Sequence, residues 1–239
     1  MKSKLTILFV LVALCGRAQK GALSANGNLP NYYEEKLNFG FLIGFNRANF
    51  NIDPAVHFER FDSLKSVTCI PQPGFNLGIV SDYAFHKYIT LRFTPNIAFC
   101  ERDLSYVIKG RDSLVYLKKI ESTFLNFPLD LRLRSKRVKN FGAYVLAGGA
   151  YNLDLASKKN LSKEISPVLS QQLVKIRRDD ISYEVGAGME FYLMYFKFAI
   201  EAKLSLGTRN MLIKENTIFS NSINSLNSRV FLISFTFEG

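Results

Sequence analysis

Only two histidines occur in the 239-residue chain, and their surroundings decide what acid–base chemistry it offers. His57 has Asp53, Glu59 and Asp62 close by in sequence. An imidazole held by a carboxylate can activate a hydroxyl or a water. Here the group falls in a long connection, where it reads as a solvated loop histidine. His86 falls in a short turn. No CxxC or HxxxH spacing marks a metal site. No phosphate-binding loop or dinucleotide motif occurs. Gly40/Gly44, Gly148/Gly149 and Gly186/Gly188 lie inside strand patterns, where they relieve crowding. The residues therefore predict no enzyme and no cofactor.

Cys69 and Cys100 are a second candidate pair. Both fall on the long-loop side of the strands joined by the short turn at 85–88. Counting outward from that turn puts them at similar heights, so a disulfide tying the first two long loops is the working hypothesis. Two cysteines do not make a disulfide framework.

A larger set of charged residues sits at regular spacing. Asp82, Asp130, Glu184, Glu190 and Glu201 share the polar side of alternating segments with Arg92, Arg132, Arg134, Lys197 and Lys203. The set has five acids and five bases. No charge falls on the opposite, apolar sides.

The elements that carry them alternate with period two, as a strand does. Leu37, Phe39, Phe41, Ile43 and Phe45 make one side of the first segment. Phe75, Leu77, Ile79 and Tyr83 follow, then Ile89, Leu91, Phe93, Ile97 and Phe99. Leu125 to Leu133, Ile181 to Phe191, Phe196 to Leu206 and Phe231 to Phe237 repeat the pattern. Phe141 to Tyr151 is Gly/Ala-rich, and its sides are not assignable. A helix is excluded for most of these segments, because a stripe of spacing two would wander around 3.6 residues per turn. Eight antiparallel strands are expected.

Their connections alternate between long (46–73, 100–119, 155–180, 208–228) and short (85–88, 135–140, 194–195). An eight-stranded up-and-down membrane barrel with both ends in the periplasm has this rhythm. The strands are long enough to cross a bilayer with tilt, about 9–11 residues. Tyr83, Phe85, Tyr88, Phe141, Tyr144, Tyr192, Tyr195 and Phe196 gather near the short turns, as an interfacial girdle would. A charge facing lipid at mid-bilayer costs about 2–4 kcal/mol. The ten charges therefore belong inside, as a paired network plugging an interior just wide enough for side chains.

The N-terminus reads as an export signal. Lys2 and Lys4 precede an apolar run, Leu5 to Leu14, with small residues Gly16 and Ala18 at a cleavage site. This predicts a signal peptide over 1–18, a periplasmic lead over 19–36 and the barrel over 37–239. Losing residues 1–18 removes Lys2, Lys4 and Arg17, lowering the formal charge from +11 to +8. An exported basic protein meets anionic lipid rather than nucleic acid. The third long loop is basic, with Lys158, Lys159, Lys163, Lys175, Arg177 and Arg178 against Glu164, Asp179 and Asp180. It reads as a solvated loop, or as a contact for lipopolysaccharide phosphates or an acidic partner.

Asn28 to Asn46 (NLPNYYEEKLNFGFLIGFN) resembles the start of the mature domain in the PorT family, the PorT/SprT group. Thr123 to Ser135 (TFLNFPLDLRLRS), Ala143 to Tyr151 (AYVLAGGAY) and the closing strand look like the wider barrel family's signature. Phe237, three from the end, resembles the signal read by barrel-assembly machinery. The resemblance implies an accessory or assembly component of the type IX protein secretion system, which also supports gliding motility in some species. Its partners would be other secretion-machinery proteins, acting by contact and without catalytic residues. The rival expectation is a general OmpX-like surface barrel that binds lipopolysaccharide or external ligands through its loops.

Overall fold

A computed structural model of the chain describes residues 28–32, 34–54, 64–108, 114–155, 176–214, 220 and 222–239. The strands are β1 (Leu37–Pro54), β2 (Leu64–Pro71), β3 (Pro73–His86), β4 (Ile89–Phe93), β5 (Asn96–Ile108), β6 (Leu114–Arg134), β7 (Phe141–Asp154), β8 (Asp179–Tyr192), β9 (Lys197–Gly207) and β10 (Ile223–Glu238). All pair antiparallel in one sheet, and β1 bonds to both β10 and β3, which closes the ring.

The ten strands make eight staves. Gln72 alone separates β2 from β3, and Thr94–Pro95 separates β4 from β5. Proline has no N–H for the ladder. The flanking groups compensate: Thr94 N–H donates to Pro128 O at 3.3 Å, and Ile79 N–H to Pro95 O at 3.0 Å. The side-chain phase survives the break, so Arg92 and Asn96 both face inward. The expected eight-stranded up-and-down barrel is the fold.

The apolar stripe faces outward. Phe41, Leu129 and Val185 are 52%, 50% and 51% exposed, whereas Arg132 and Glu190 are fully buried. A soluble barrel would turn these apolar side chains inward; this wall is built to be solvated by lipid. Stacked ring pairs reinforce it between neighbouring staves, Phe41 on Phe237 at 4.8 Å and Phe75 on Phe99 at 4.6 Å.

The strands run further than the alternation of apolar residues suggested. Much of the long connections at 46–73, 100–119 and 208–228 is strand, in β1, β2, β5, β6 and β10. The cause is a change of sign. Past Phe45 the outward residues of β1 become Arg47, Asn49, Asn51 and Asp53, while Ala48 and Phe50 are buried inside. On β5 the buried side continues through Leu104 and Tyr106. The barrel thus has a lipid-embedded storey with a polar interior, and above it a water-facing storey with an apolar one. Phe50, Leu104, Tyr106, Ile120, Ile176, Leu212, Ile223 and Leu226 form that upper core.

Candidate functional site

All ten charges singled out by alternation converge on the interior and are buried. Arg92, at the start of the second hairpin's return strand, is the hub near the short turns. Its Nε donates to Asp82 Oδ1 at 2.7 Å and its Nη2 to Asp82 Oδ2 at 2.8 Å. Its Nη1 reaches Glu201 Oε2 at 3.4 Å, and Nη2 also bonds Glu238. Arg132 donates to Asp82 Oδ2 at 2.8 Å and Glu190 Oε1 at 2.6 Å. Lys197 Nζ lies 2.6 Å from Glu238 Oε2. Arg134 donates to Thr90 Oγ1 at 2.6 Å. Higher up, Lys203 Nζ sits 3.0 Å from Asp130 Oδ2 and 2.7 Å from Glu184 Oε2.

In the lower cluster four cations, Arg92, Arg132, Arg134 and Lys197, meet four carboxylates, Asp82, Glu190, Glu201 and Glu238. A neutral, hydrogen-bonded lattice offsets the desolvation that each ion alone would suffer. Four amides then cross the interior above it. Asn46 donates to Asn76 at 2.6 Å, Asn76 to Asn96 at 2.9 Å, and Asn126 to Asn96 at 3.0 Å. Between this ladder and the upper apolar core lies a cavity of about 50 Å³, bordered by Asn152, Asp180, Ser182 and Lys203. That is room for a few waters. The interior is a packed plug.

Several interior residues escaped the sequence reading. Glu238 extends the Ser234–Thr236 side by one step, just beyond Phe237, the last apolar residue of the alternation. Tyr144 and Tyr192 belong inside, not in the girdle. Their hydroxyls donate to Glu201 and Glu190, each at 2.8 Å. The Tyr144 ring packs under the Arg132 guanidinium at 3.7 Å. Gly188 makes room for it: a Cβ there would stand 2.4 Å from Tyr144 Cζ. Phe85 and Tyr195, at 61% and 60% exposure, face outward, as girdle residues would.

Arg102 is the odd cation. It is fully buried between the Phe50 and Phe124 rings, at 4.2 and 5.1 Å. None of its nitrogens meets an oxygen acceptor among the described residues.

The lead closes the short-turn mouth. Arg137, in the turn after β6, donates to Leu29 O at 3.0 Å and to Asn28 O, and stacks on Tyr192 at 3.8 Å. Asn28 N–H donates to Asn140 Oδ1 at 2.8 Å. These contacts lower Tyr32 into the mouth, where its hydroxyl lies 3.3 Å from Glu238 and Lys197 sits 4.6 Å from its ring. Burial, with Glu238 and Asp82 beside it, holds the Tyr32 hydroxyl well above the usual tyrosine range, so it is a neutral donor. Arg137→Ala is expected to speed hydrogen exchange of the Tyr32 amide about tenfold, the worth of a hydrogen bond to a charged group. The barrel's unfolding midpoint should hardly move. Unchanged exchange would mean that the clamp is not Arg137.

The disulfide expected between Cys69 and Cys100 is not formed; both thiols are free. The register explains this. Cys69 pairs with Leu104 on β5, while Cys100 is four residues further down the same strand, opposite Ser122. Four steps are about 13 Å along a strand, too far for a bond that needs Cα atoms within about 7 Å. Protein unfolded without reductant should therefore take up two alkyl groups at these positions by mass spectrometry. A species two hydrogens lighter that resists alkylation would contradict the register.

Other sequence-marked residues are dispersed. Arg177 and Arg178 are exposed at the long-loop end. His57, Lys158, Lys159, Lys163, Lys175 and the export signal lie outside the described residues. His86 is exposed in its short turn. Phe237 packs on the seam between β1 and β10, 4.8 Å from Phe41 and 5.2 Å from Phe198. Among the described residues no group of three His, Cys, Asp or Glu is arranged to hold a metal.

Three solved barrels are similar in arrangement. Ail of Yersinia pestis, solved with the heparin analogue sucrose octasulfate, matches 86% of this chain and 100% of its own at 12% identity and a TM-score of 0.39. OprG of Pseudomonas aeruginosa matches 85% and 94% at 12% identity and 0.42. The N-terminal β-barrel domain of OprF from the same organism matches 82% and 97% at 12% identity and 0.32. No curated protein matches by sequence. A family model does, over residues 18–212, and with the lipid-facing wall and ion-filled interior it places the chain in the outer membrane protein β-barrel domain family.

Proposed function

We propose that this chain is a non-enzymatic surface barrel that engages anionic ligands, lipopolysaccharide or an external polyanion, through the basic connections at its long-loop end. The observation that carries this reading is the packed interior. With the middle filled by paired ions and the upper storey by an apolar core, contact chemistry is left to the two ends and the wall. At the long-loop end Arg177, Arg178 and Lys214 are exposed, and Lys158, Lys159, Lys163 and Lys175 precede Arg177 in the same connection of the sequence. Cations so grouped attract phosphate or sulfate groups, more weakly as salt rises. The test replaces Lys158, Lys159, Lys163, Lys175, Arg177 and Arg178 with glutamine in intact cells and measures binding of a labelled sulfated polysaccharide and of lipopolysaccharide. Salt-sensitive binding that drops in the variant is expected; binding that is equal in both would end this reading.

A second reading, an accessory role in type IX secretion, is favoured by one particular. The Asn28–Asn46 segment that resembles the PorT group begins with the residues clamped over the short-turn mouth, on the side where periplasmic machinery would meet it. Other secretion-machinery proteins would be its partners, and insertion would depend on barrel-assembly machinery reading Phe237. Deleting the gene should then stop export of cargo bearing the C-terminal secretion signal; normal export would discard this role. A His57→Ala variant that complements the deletion fully would support the non-enzymatic reading in either case.

A further inference from the structure

The outer surface of the lipid-embedded storey is apolar, and its upper boundary carries one pair of cations side by side. Arg47 on β1 pairs across the seam with Phe231, and Arg229 on β10 pairs with Asn49. The two arginines are therefore diagonal neighbours on one face, about 7–8 Å apart at the backbone. Both side chains are exposed on the outside of the wall. Neither has an ion-pair or hydrogen-bond partner among the described residues. At the same height two staves away, Glu101 is already held by Lys119 at 3.0 Å.

Their height fixes what they meet. Directly below stand Phe45, 63% exposed, and Phe231, 45% exposed, the last rings of the belt. From Leu37 to Arg47 is ten strand steps, which at about 3.4 Å each and a tilt near 40° lifts Arg47 roughly 26 Å above the lower edge. The apolar band of such a barrel is about 25 Å tall. The pair stands where acyl chains end and headgroups begin. With the long loops outward, as in barrels of this kind, that level is the outer leaflet.

Two like charges at adjacent positions repel, and none of the described residues neutralises them. A phosphate matches two guanidinium forks, each of which can donate a pair of parallel hydrogen bonds. We infer that Arg47 and Arg229 form a clamp for the phosphate of an outer-leaflet lipid, whose acyl chains lie along the aromatic seam of β1 and β10. The clamp is built on the wall, apart from the loop residues proposed to engage lipopolysaccharide or an external polyanion, and either can fail without the other.

The test uses the full chain in detergent micelles and measures binding of lipid A carrying its phosphates against lipid A with the phosphates removed. The wild type should favour the phosphorylated lipid at least tenfold. R47A and R229A should each lose about tenfold in affinity for it, the scale of one charge-assisted hydrogen-bonded contact. R47A/R229A should bind both lipids alike. Heat-dependent gel mobility checks that the variants are folded, and R47Q/R229Q replaces any alanine variant that is not. A preference that survives in the folded double variant overturns the clamp. So does inorganic phosphate displacing the lipid at equal concentration, which would make the site one for free anion.

Discussion

Arg92→Met is expected to destabilise the barrel by about 3–5 kcal/mol, the range found when one partner of a buried ion pair is removed. Arg92 touches Asp82, Glu201 and Glu238 and is fully buried. Methionine fills most of the space but leaves four carboxylates facing three cations in the lower cluster. Urea unfolding of protein refolded into detergent measures the loss. Adding Glu238→Gln to Arg92→Met should recover part of it, since the deleted positive charge is then matched by a deleted negative one. Arg102 is the control. It is equally buried but has no carboxylate in contact among the described residues, so Arg102→Met should be neutral or stabilising. If Arg92→Met unfolds with the wild type, the lattice does not govern stability.

Leu129→Arg is expected to cost about 2–4 kcal/mol and to impair insertion, because that side chain faces hydrocarbon at mid-bilayer. The outward-facing Asn51, on the same wall but beyond the belt, should accept arginine within about 0.5 kcal/mol. The comparison tests the change of sign along the staves. Equal costs at both positions would mean that the polar upper wall is also embedded, and would move the bilayer by several strand steps. Folding yield in vesicles and the denaturant midpoint report both.

These expectations depend on features that were unequally legible in the chain. Period two and the clean separation of charge placed Asp82, Arg92, Asp130, Arg132 and Glu190 correctly, because one side of a stave faces lipid and tolerates no ions. The same logic stopped working at Arg47. Above it the inward side is the apolar one, so a reader following the greasy stripe sees it end and infers a loop where the backbone simply continues. The disulfide failed for a related reason. Heights counted from a turn assume that the long loops begin near Cys69 and Cys100, whereas β2 and β5 pair well past both positions. Tyr32 was invisible to periodicity, since it belongs to no strand. Its place is set by Arg137 and Asn140, more than a hundred residues later. Tyr144 was hidden by the small residues around it, and it is those small residues that admit its ring.

The ring has one joint unlike the rest. Seven contacts between staves join stretches adjacent in the chain, each able to zip from its own turn, but the β1–β10 ladder links Gly40 to Glu238. Closing so wide an interval carries the largest entropic penalty, and non-local pairing is slow. Until it happens, Lys197 already has Glu238 across the β9–β10 ladder and Arg92 has Asp82 across β3–β4, but the bonds that cross the barrel, from Arg92 to Glu201 and Glu238, are absent. The final zippering step and the joining of the two sides of the charge lattice are therefore one event. An open sheet in the membrane carries an electrostatic penalty that vanishes only on circularisation, which gives the last strand a strong pull toward the first and leaves little population half-closed.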